Sequence, residues 1–206
     1  MNPALDARLP RLVEAHRSQH SAVRQAAESA TVRTDWYRGP AVDVEPLETL
    51  RMGDHPGAPL TKAPRRTRDT YCYWFDAAGD IRARLHGSDL QGQFYEEFFT
   101  WLPDGIVESV LYGSSPMKDL INVKVRRFAG PRLLRSDTQG KYGVRLERFE
   151  YDPIGRLTRV LVHEEERVGH ARSHEVVVEY DGQSETPRTI DRIFPNGRVA
   201  TIFGAV

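Results

Sequence analysis

A short turn motif recurs along the last two-thirds of the chain at nearly even spacing. Each copy begins with an apolar or aromatic residue and ends in a glycine, at Gly79, Gly105, Gly130, Gly155 and Gly182, and all but the copy at 128–130 have an Asp in the corner. These glycines lie roughly 25 to 27 residues apart, a period within the range of internal structural repeats. In Pro103-Asp104-Gly105 the proline fits the first corner, and the glycine takes the positive φ that the return strand requires. The motif therefore predicts a series of hairpins.

Short runs with apolar residues at alternate positions follow these glycines, as in 81–85 and 157–161. A period of two marks strands that bury one face. A second set of polar turns, such as 86–89 and 136–140, lies midway between the first. The turns are too short for helical crossovers. We therefore expect a mainly β fold in which residues 70–206 form an antiparallel meander of about ten strands that curves into a half-barrel or a barrel.

Two further zones precede the predicted sheet within what we expect to be a single globular domain. Residues 1–37 are predicted to be a helical segment, because apolar residues recur at helical spacing and Asn2-Pro3 fits an N-cap followed by a first-turn proline. Pro10 should kink or restart this helix. Residues 38–69 contain five prolines and are predicted to be a long irregular connection.

The amino-acid composition limits the kinds of partner that this chain can bind and the cellular compartment expected for it. The chain has 29 basic and 29 acidic residues among 206, so no global charge attracts nucleic acid or an anionic membrane. Its single cysteine, Cys72, excludes an intrachain disulfide and suits a reducing compartment. No apolar run approaches the ~18 residues of a membrane span, and the N-terminus lacks the apolar core of a signal peptide. We expect a cytoplasmic protein that binds neither nucleic acid nor membrane; the oligomeric state stays open.

Aromatic residues crowd positions 94–101, on both faces of one predicted strand. Core burial on both sides is the main interpretation, and a surface for a ligand or partner is the alternative. Glu96 and Glu97 within this run need cationic partners if they are buried, and Arg82 or Arg84 could supply one. The residues predicted to bind a ligand or partner are Trp74, Phe99, Trp101, Arg82 and Arg84.

Candidates for catalysis or metal binding are few. His163, His170 and His174 lie close together beside a run of glutamates, but their spacing crosses a predicted turn and does not place them on one helix face. A solvated hairpin tip explains them as well. Cys72 within an aromatic strand indicates a buried, unreactive thiol, and the turn aspartates are explained by local hydrogen bonds. No catalytic residue, metal or cofactor is predicted.

Four of the turn units resemble known bacterial repeats. The segments at 151–157 and 75–81 resemble the YD repeats of Rhs-type proteins, whereas those at 194–199 and 102–107 are similar to repeats of the MORN-like antitoxin type. The resemblance implies a small bacterial protein that acts as the immunity or antitoxin partner of a toxin. It implies no site residues, because the matching positions are all turn residues.

These observations favour a non-enzymatic protein-binding module of the immunity or antitoxin kind. One alternative is a binding protein for an apolar small molecule, held inside the curved sheet by residues such as Trp74, Phe99, Trp101 and Leu111. The other is an enzyme that uses His163, His170 or His174, which requires these side chains to converge in a cleft.

Overall fold

A computed structural model describes residues 4–204, which form thirteen strands and three helices. The helices are α1 (Leu9–His16), α2 (His20–Ala30) and α3 (Glu48–Arg51). The strands are β1 (Arg33–Arg38), β2 (Ala58–Leu60), β3 (Thr70–Phe75), β4 (Ile81–Gly87), β5 (Phe94–Leu102), β6 (Ile106–Tyr112), β7 (Leu120–Ala129), β8 (Arg132–Gly140), β9 (Gly143–Tyr151), β10 (Leu157–Glu166), β11 (Ala171–Tyr180), β12 (Pro187–Ile193) and β13 (Val199–Phe203).

All thirteen strands belong to one sheet, in the order β13 to β3 and then β1 and β2. Every pairing among the described residues is antiparallel, and from β3 onwards each strand pairs with its neighbour in sequence. The predicted mainly β antiparallel meander is confirmed. The two outermost strands, β13 and β2, do not pair within residues 4–204, so the sheet stays open.

The sheet extends beyond the segment predicted for it. Residues 70–204 contain eleven strands, and β1 and β2 add two more from segments expected to be helical and irregular. The six residues of β1 were too short a run to distinguish from the end of a helix. Pro59 lies in β2, which pairs only with β1, and an edge strand tolerates a proline because its outer N–H needs no partner.

Two short helices cover one face of the sheet, which we call the outer face. The helix α1 packs over β7 and β8, and α2 packs over β3, β4 and β5. Pro10 lies in the first turn of α1, so the first helix begins there, and residues 4–8, which were predicted to be helical, are not. The predicted cap at Asn2-Pro3 lies outside the described residues. Leu9 and Ala27 pack against Trp74, Phe98 and other sheet residues. No helix within residues 4–204 is long and apolar enough to cross a membrane.

The opposite face, which we call the inner face, curves around the connection between β1 and β2. The four residues of α3 contact β13, while Glu48 at its start pairs with Arg84 of β4 at 2.9 Å. Nine strand spacings separate β4 from β13, or about 43 Å in a flat sheet, whereas α3 is only about 6 Å long. The sheet must therefore bend strongly, with the connection in its concavity.

Apolar contacts fix two parts of the connection to the inner face of the sheet. Val42 and Val44 pack with Tyr73 and other residues of the inner face, and the hydroxyl oxygen of Tyr73 accepts a hydrogen bond of 2.9 Å from the backbone N–H of Ala41. Leu47 and Leu50 pack against a second cluster built on β8 to β12. The proline-containing segment thus forms part of the core.

The turn glycines can be tested with one matched pair of variants. Gly105 and Gly130 both have positive φ, but a Cβ at Gly105 would lie 2.5 Å from the carbonyl oxygen of Phe128, whereas one at Gly130 would meet nothing within 4 Å. We expect Gly130→Ala to lower the free energy of unfolding by roughly 1 kcal/mol through backbone strain alone. Gly105→Ala should cost at least twice as much, and urea titrations that give equal losses would contradict the close approach of Gly105 to Phe128.

Candidate functional site

A cluster of charged side chains lies between the inner face and the connection. Strand alternation brings its sheet members to the same face, because directly paired residues of neighbouring strands point the same way. We call it the buried ion cluster. It comprises Glu45, Glu48, Arg51, Arg84, Glu97, Lys124, Arg126 and Glu147.

The carboxylate of Glu45 lies at the centre of this cluster. Its Oε1 atom accepts hydrogen bonds of 2.9 Å from Lys124 Nζ and Arg126 Nε, and one of 3.1 Å from Ser136 Oγ. Its Oε2 atom accepts one of 3.1 Å from Arg51. Burial raises the pKa of Glu45, but the three cations outweigh burial and hold the pKa well below its usual range. Glu45 therefore remains charged in the interior.

Glu97 is the second central carboxylate of the cluster, and its cationic partners are Arg84 and Arg126. Its Oε2 atom lies 2.6 Å from Arg84 Nη2, and its Oε1 atom accepts hydrogen bonds from Arg126 at 3.2 Å and Ser109 Oγ at 2.7 Å. Burial raises the pKa of Glu97, yet attraction to Arg84 and Arg126 lowers it to about 2. Arg126 is fully buried and also lies 5.5 Å from the ring centroid of Phe99.

The buried ion cluster is balanced in charge. Its four carboxylates, Glu45, Glu48, Glu97 and Glu147, face four cations, Arg51, Arg84, Lys124 and Arg126. At its margin Arg145 contacts Glu147 at 2.8 Å and is itself paired with Glu164. Each of these eight side chains is already engaged by a partner, so the cluster offers no free group for chemistry on a substrate. What this arrangement can do is hold the connection in one position on the sheet.

The five predicted binding residues do not come together. Trp74 lies on the outer face, where the Arg24 guanidinium of α2 is 5.4 Å from its ring centroid. Phe99 packs in the inner-face cluster with Trp101, whose indole N–H donates to the carbonyl of Ile81. An apolar cavity lined jointly by Trp74, Phe99, Trp101 and Leu111 is therefore not formed, because alternation places Trp74 on the other side of the sheet.

The two predicted arginines have different partners. Arg84 pairs with Glu97 in the buried ion cluster, whereas Arg82 pairs at 2.6 Å with Asp76 of the adjoining turn. Glu96 faces the helices instead and accepts hydrogen bonds from His20 and Arg24 of α2. The side chains of Glu96 and Glu97 therefore lie on opposite faces of β5.

The three histidines are separated. His163 lies opposite Ser173 in the β10–β11 pairing, with its Nδ1 atom 3.0 Å from Ser173 Oγ, whereas His174 lies opposite Val162 and so points to the other face. His170 is an exposed residue of the turn between these strands. The structure does not bring them into a common cleft, and residues 4–204 contain no group of three or more ligating side chains arranged to hold a metal.

Cys72 lies on the outer face, in the core beneath the helices. Burial raises the pKa of its thiol to about 12, so the reactive thiolate is scarce at neutral pH.

Two cavities open at the margins of the inner face. One, of about 520 Å³, lies beside the hairpin tips of β8–β9 and β10–β11, with Thr138, Tyr142 and Arg145 in its lining. The other, of about 430 Å³, lies at the end of β3, β4 and β5 and includes Tyr71 and His86. We call the second cavity the aromatic pocket.

The outer face of β9 to β13 has no helix over it in the described part of the chain, since α1 and α2 lie over β3 to β8. Leu161, Val177 and Ile193 are half-buried there. Cross-strand ion pairs surround them, including Arg159 with Glu175 at 2.6 Å. We call this area, centred on Leu161, Val177 and Ile193, the uncovered outer face.

Sequence reasoning missed most of these features for one reason. Lys124 and Arg126 alternate with Val123 and Val125, a pattern typical of a strand whose polar face meets water. Only the docked connection, which brings Glu45 onto that polar face, makes it an interior.

Comparison with protein-family models, with curated proteins and with solved structures finds no match to this chain. The resemblance to bacterial hairpin repeats stays a prediction from the sequence.

The buried ion cluster can be tested through Glu45→Gln. The substitution removes the charge that balances Lys124 and Arg126 but keeps the shape of the side chain, so we expect the free energy of unfolding to fall by about 3 kcal/mol. Glu28→Gln, which changes an exposed helix residue paired with Arg24, should change it by less than about 0.5 kcal/mol. Equal effects of the two variants in urea titrations would show that the cluster does not hold the connection.

The low pKa of Glu97 should make the free energy of unfolding depend on pH in the acidic range. Its pKa is about 2 in the folded chain against an ordinary 4.5, so its stabilisation is fully present above pH 4.5 and is lost as the pH falls towards 2. The difference corresponds to about 3 kcal/mol. Unfolding titrations of Glu97→Gln should therefore show a flatter dependence over this pH range than the parent chain, and parallel profiles would contradict the low pKa.

Proposed function

We propose that this chain is a non-enzymatic protein-binding module, and that it acts as an immunity-like or antitoxin-like partner of a toxin in a bacterial cytoplasm. The observation that carries the proposal is the uncovered outer face. The repeat resemblance supplies the toxin context, and the separation of His163, His170 and His174 favours binding over an enzyme that uses these histidines.

The composition of the uncovered outer face supports protein binding. Rows of directly paired residues cross the strands, so that Leu161 lies between Arg148 and Glu175, and Val177 lies between Arg159 and Asp191. Aliphatic side chains are thus interleaved with arginines and carboxylates. Protein interfaces combine apolar contacts with arginine in this way.

The size of the uncovered outer face also supports protein binding. Five strands at about 4.8 Å spacing, each presenting about seven residues at 3.4 Å, span about 24 Å by 24 Å, or roughly 600 Å². A standard interface buries about 800 Å² on each partner. A protein that covers this surface and a little of its margin would therefore make an interface of ordinary size.

The proposal is tested by capturing the partner and reconstituting the complex from purified proteins. Val177→Arg adds a charge at the centre of the uncovered outer face and should weaken binding at least tenfold. Val168→Arg, at a hairpin tip where Val168 is 76% exposed, is the matched control and should bind as the parent chain does. Calorimetry gives the affinities, and urea titrations of both variants verify that each remains folded.

A growth assay tests whether the captured partner is a toxin. If the captured protein arrests growth when it is expressed alone, co-expression of the parent chain should restore growth and co-expression of Val177→Arg should not. Failure to capture any specific partner from the native host, or equal affinity of the parent chain and Val177→Arg, would overturn the proposed function.

A further inference from the structure

Three aromatic rings stand side by side in the aromatic pocket. Tyr71 of β3 pairs directly with His86 of β4, which pairs directly with Tyr95 of β5. The rings of Tyr71 and His86 are stacked, with centroids 4.4 Å apart and planes 9° from parallel, and the Tyr95 ring lies 6.1 Å from His86. Tyr95 remains 40% exposed. The row therefore lines a cavity that solvent can reach.

The charges around the aromatic pocket leave one carboxylate free. Glu48 and Glu97 line it too, but Arg84 engages both of them at 2.9 Å and 2.6 Å. Asp54 also lines it, and within residues 4–204 its carboxylate has neither an ion pair nor a side-chain hydrogen bond. Three carboxylates and one arginine thus line the pocket, and Asp54 is the carboxylate that no cation of the described residues contacts.

The Asp54 carboxylate lines the same cavity as the three rings. Burial raises the pKa of Tyr71 to about 12, and the charges of Tyr73 and Asp54 contribute to the increase. Burial and Arg84 lower the pKa of His86, so the imidazole is neutral at pH 7 and does not repel a cation. The lining combines aromatic surfaces, a neutral imidazole and an unpaired carboxylate.

This lining is complementary to a flat cation. A guanidinium group stacks on aromatic rings and donates two parallel hydrogen bonds to a carboxylate. An ammonium group also contacts ring faces, but it is compact and more strongly hydrated, and it lacks the planar pair of parallel donors that fits one carboxylate. The cavity volume of about 430 Å³ lies within the range that accommodates small ligands.

We propose that the aromatic pocket is a binding site for a guanidinium group, with the exposed Tyr95 ring at the end of the row as its stacking surface and Asp54 as its counter-ion. The group can come from an arginine side chain of another protein or from a free guanidino compound. The pocket lies on the inner face, away from the uncovered outer face, so this inference does not depend on the proposed function.

Aromatic ¹H–¹³C NMR spectra of the full chain test the site. The probe is N-acetyl-arginine amide, and its control is N-acetyl-citrulline amide, which has nearly the same shape but no charge. We expect the arginine probe to cause saturable shifts of the Tyr71, His86 and Tyr95 resonances at millimolar concentration, and the citrulline probe to bind at least tenfold more weakly. Equal binding of the two probes, or shifts confined to other residues, would overturn the proposal.

Two variants assign the roles of the carboxylate and the ring. Asp54→Asn should lower the affinity for the arginine probe about tenfold, and Tyr95→Leu should lower it several-fold. Asp104→Asn, which changes an exposed turn carboxylate far along the chain, should leave affinity unchanged. Asp54 and Tyr95 are both exposed, so loss of folding is not expected, and urea titrations check this. Unchanged affinity in Asp54→Asn would contradict the inference.

A final titration distinguishes the two sources of the group. The peptide N-acetyl-Gly-Arg-Gly amide represents an arginine within a protein, and free L-arginine represents a small molecule with its own ammonium and carboxylate. Tighter binding of the peptide would support a protein source, and tighter binding of free arginine would support a small guanidino compound. Saturable binding of neither at up to 50 mM would overturn the proposal.

Discussion

The contact between the Glu45 carboxylate and the Lys124–Arg126 pair determines how the two halves of this molecule meet. Glu45 is brought by the connection, and its cationic partners come from the middle of the sheet. Because the connection is fixed there, α3 can reach both β4 and β13, and Asp54 lies at the mouth of the aromatic pocket. The curvature of the sheet and the shape of its inner face both depend on this contact.

Burying balanced charges is not the cheapest way to fill an interior, since apolar side chains of the same volume are often at least as stabilising. The buried ion cluster is instead selective about position. An apolar connection could slide along an apolar face, whereas a slide here would separate Glu45 from Arg126 and Arg51 from Glu147. The apolar contacts of Leu47 and Leu50 add stability to a position that the charges select.

The hairpins were predictable from the sequence because a turn glycine and a period of two are local properties. Pro103-Asp104-Gly105 needs only its own backbone to mark a corner. The strand β1 and the edge strand β2 were missed because they are short and because β1 acquires its pairing from β3 and β2 from β1. The candidate sites depend on register: Tyr71, His86 and Tyr95 are far apart in sequence, and only the alignment of β3, β4 and β5 brings them into a row. Lys124 and Arg126 resemble surface residues in the sequence for the same reason.

The separation along the chain between contacting residues has a kinetic consequence. Meander strands meet their sequence neighbours, whereas the contacts of Glu45 with Arg126 and of Arg51 with Glu147 close loops of 81 and 96 residues. Long loops lose more entropy on closure, so we infer that the hairpins assemble before the connection docks. Weakening the docked connection should then accelerate unfolding and leave the rate of folding nearly unchanged, as a chevron plot of Glu45→Gln would reveal.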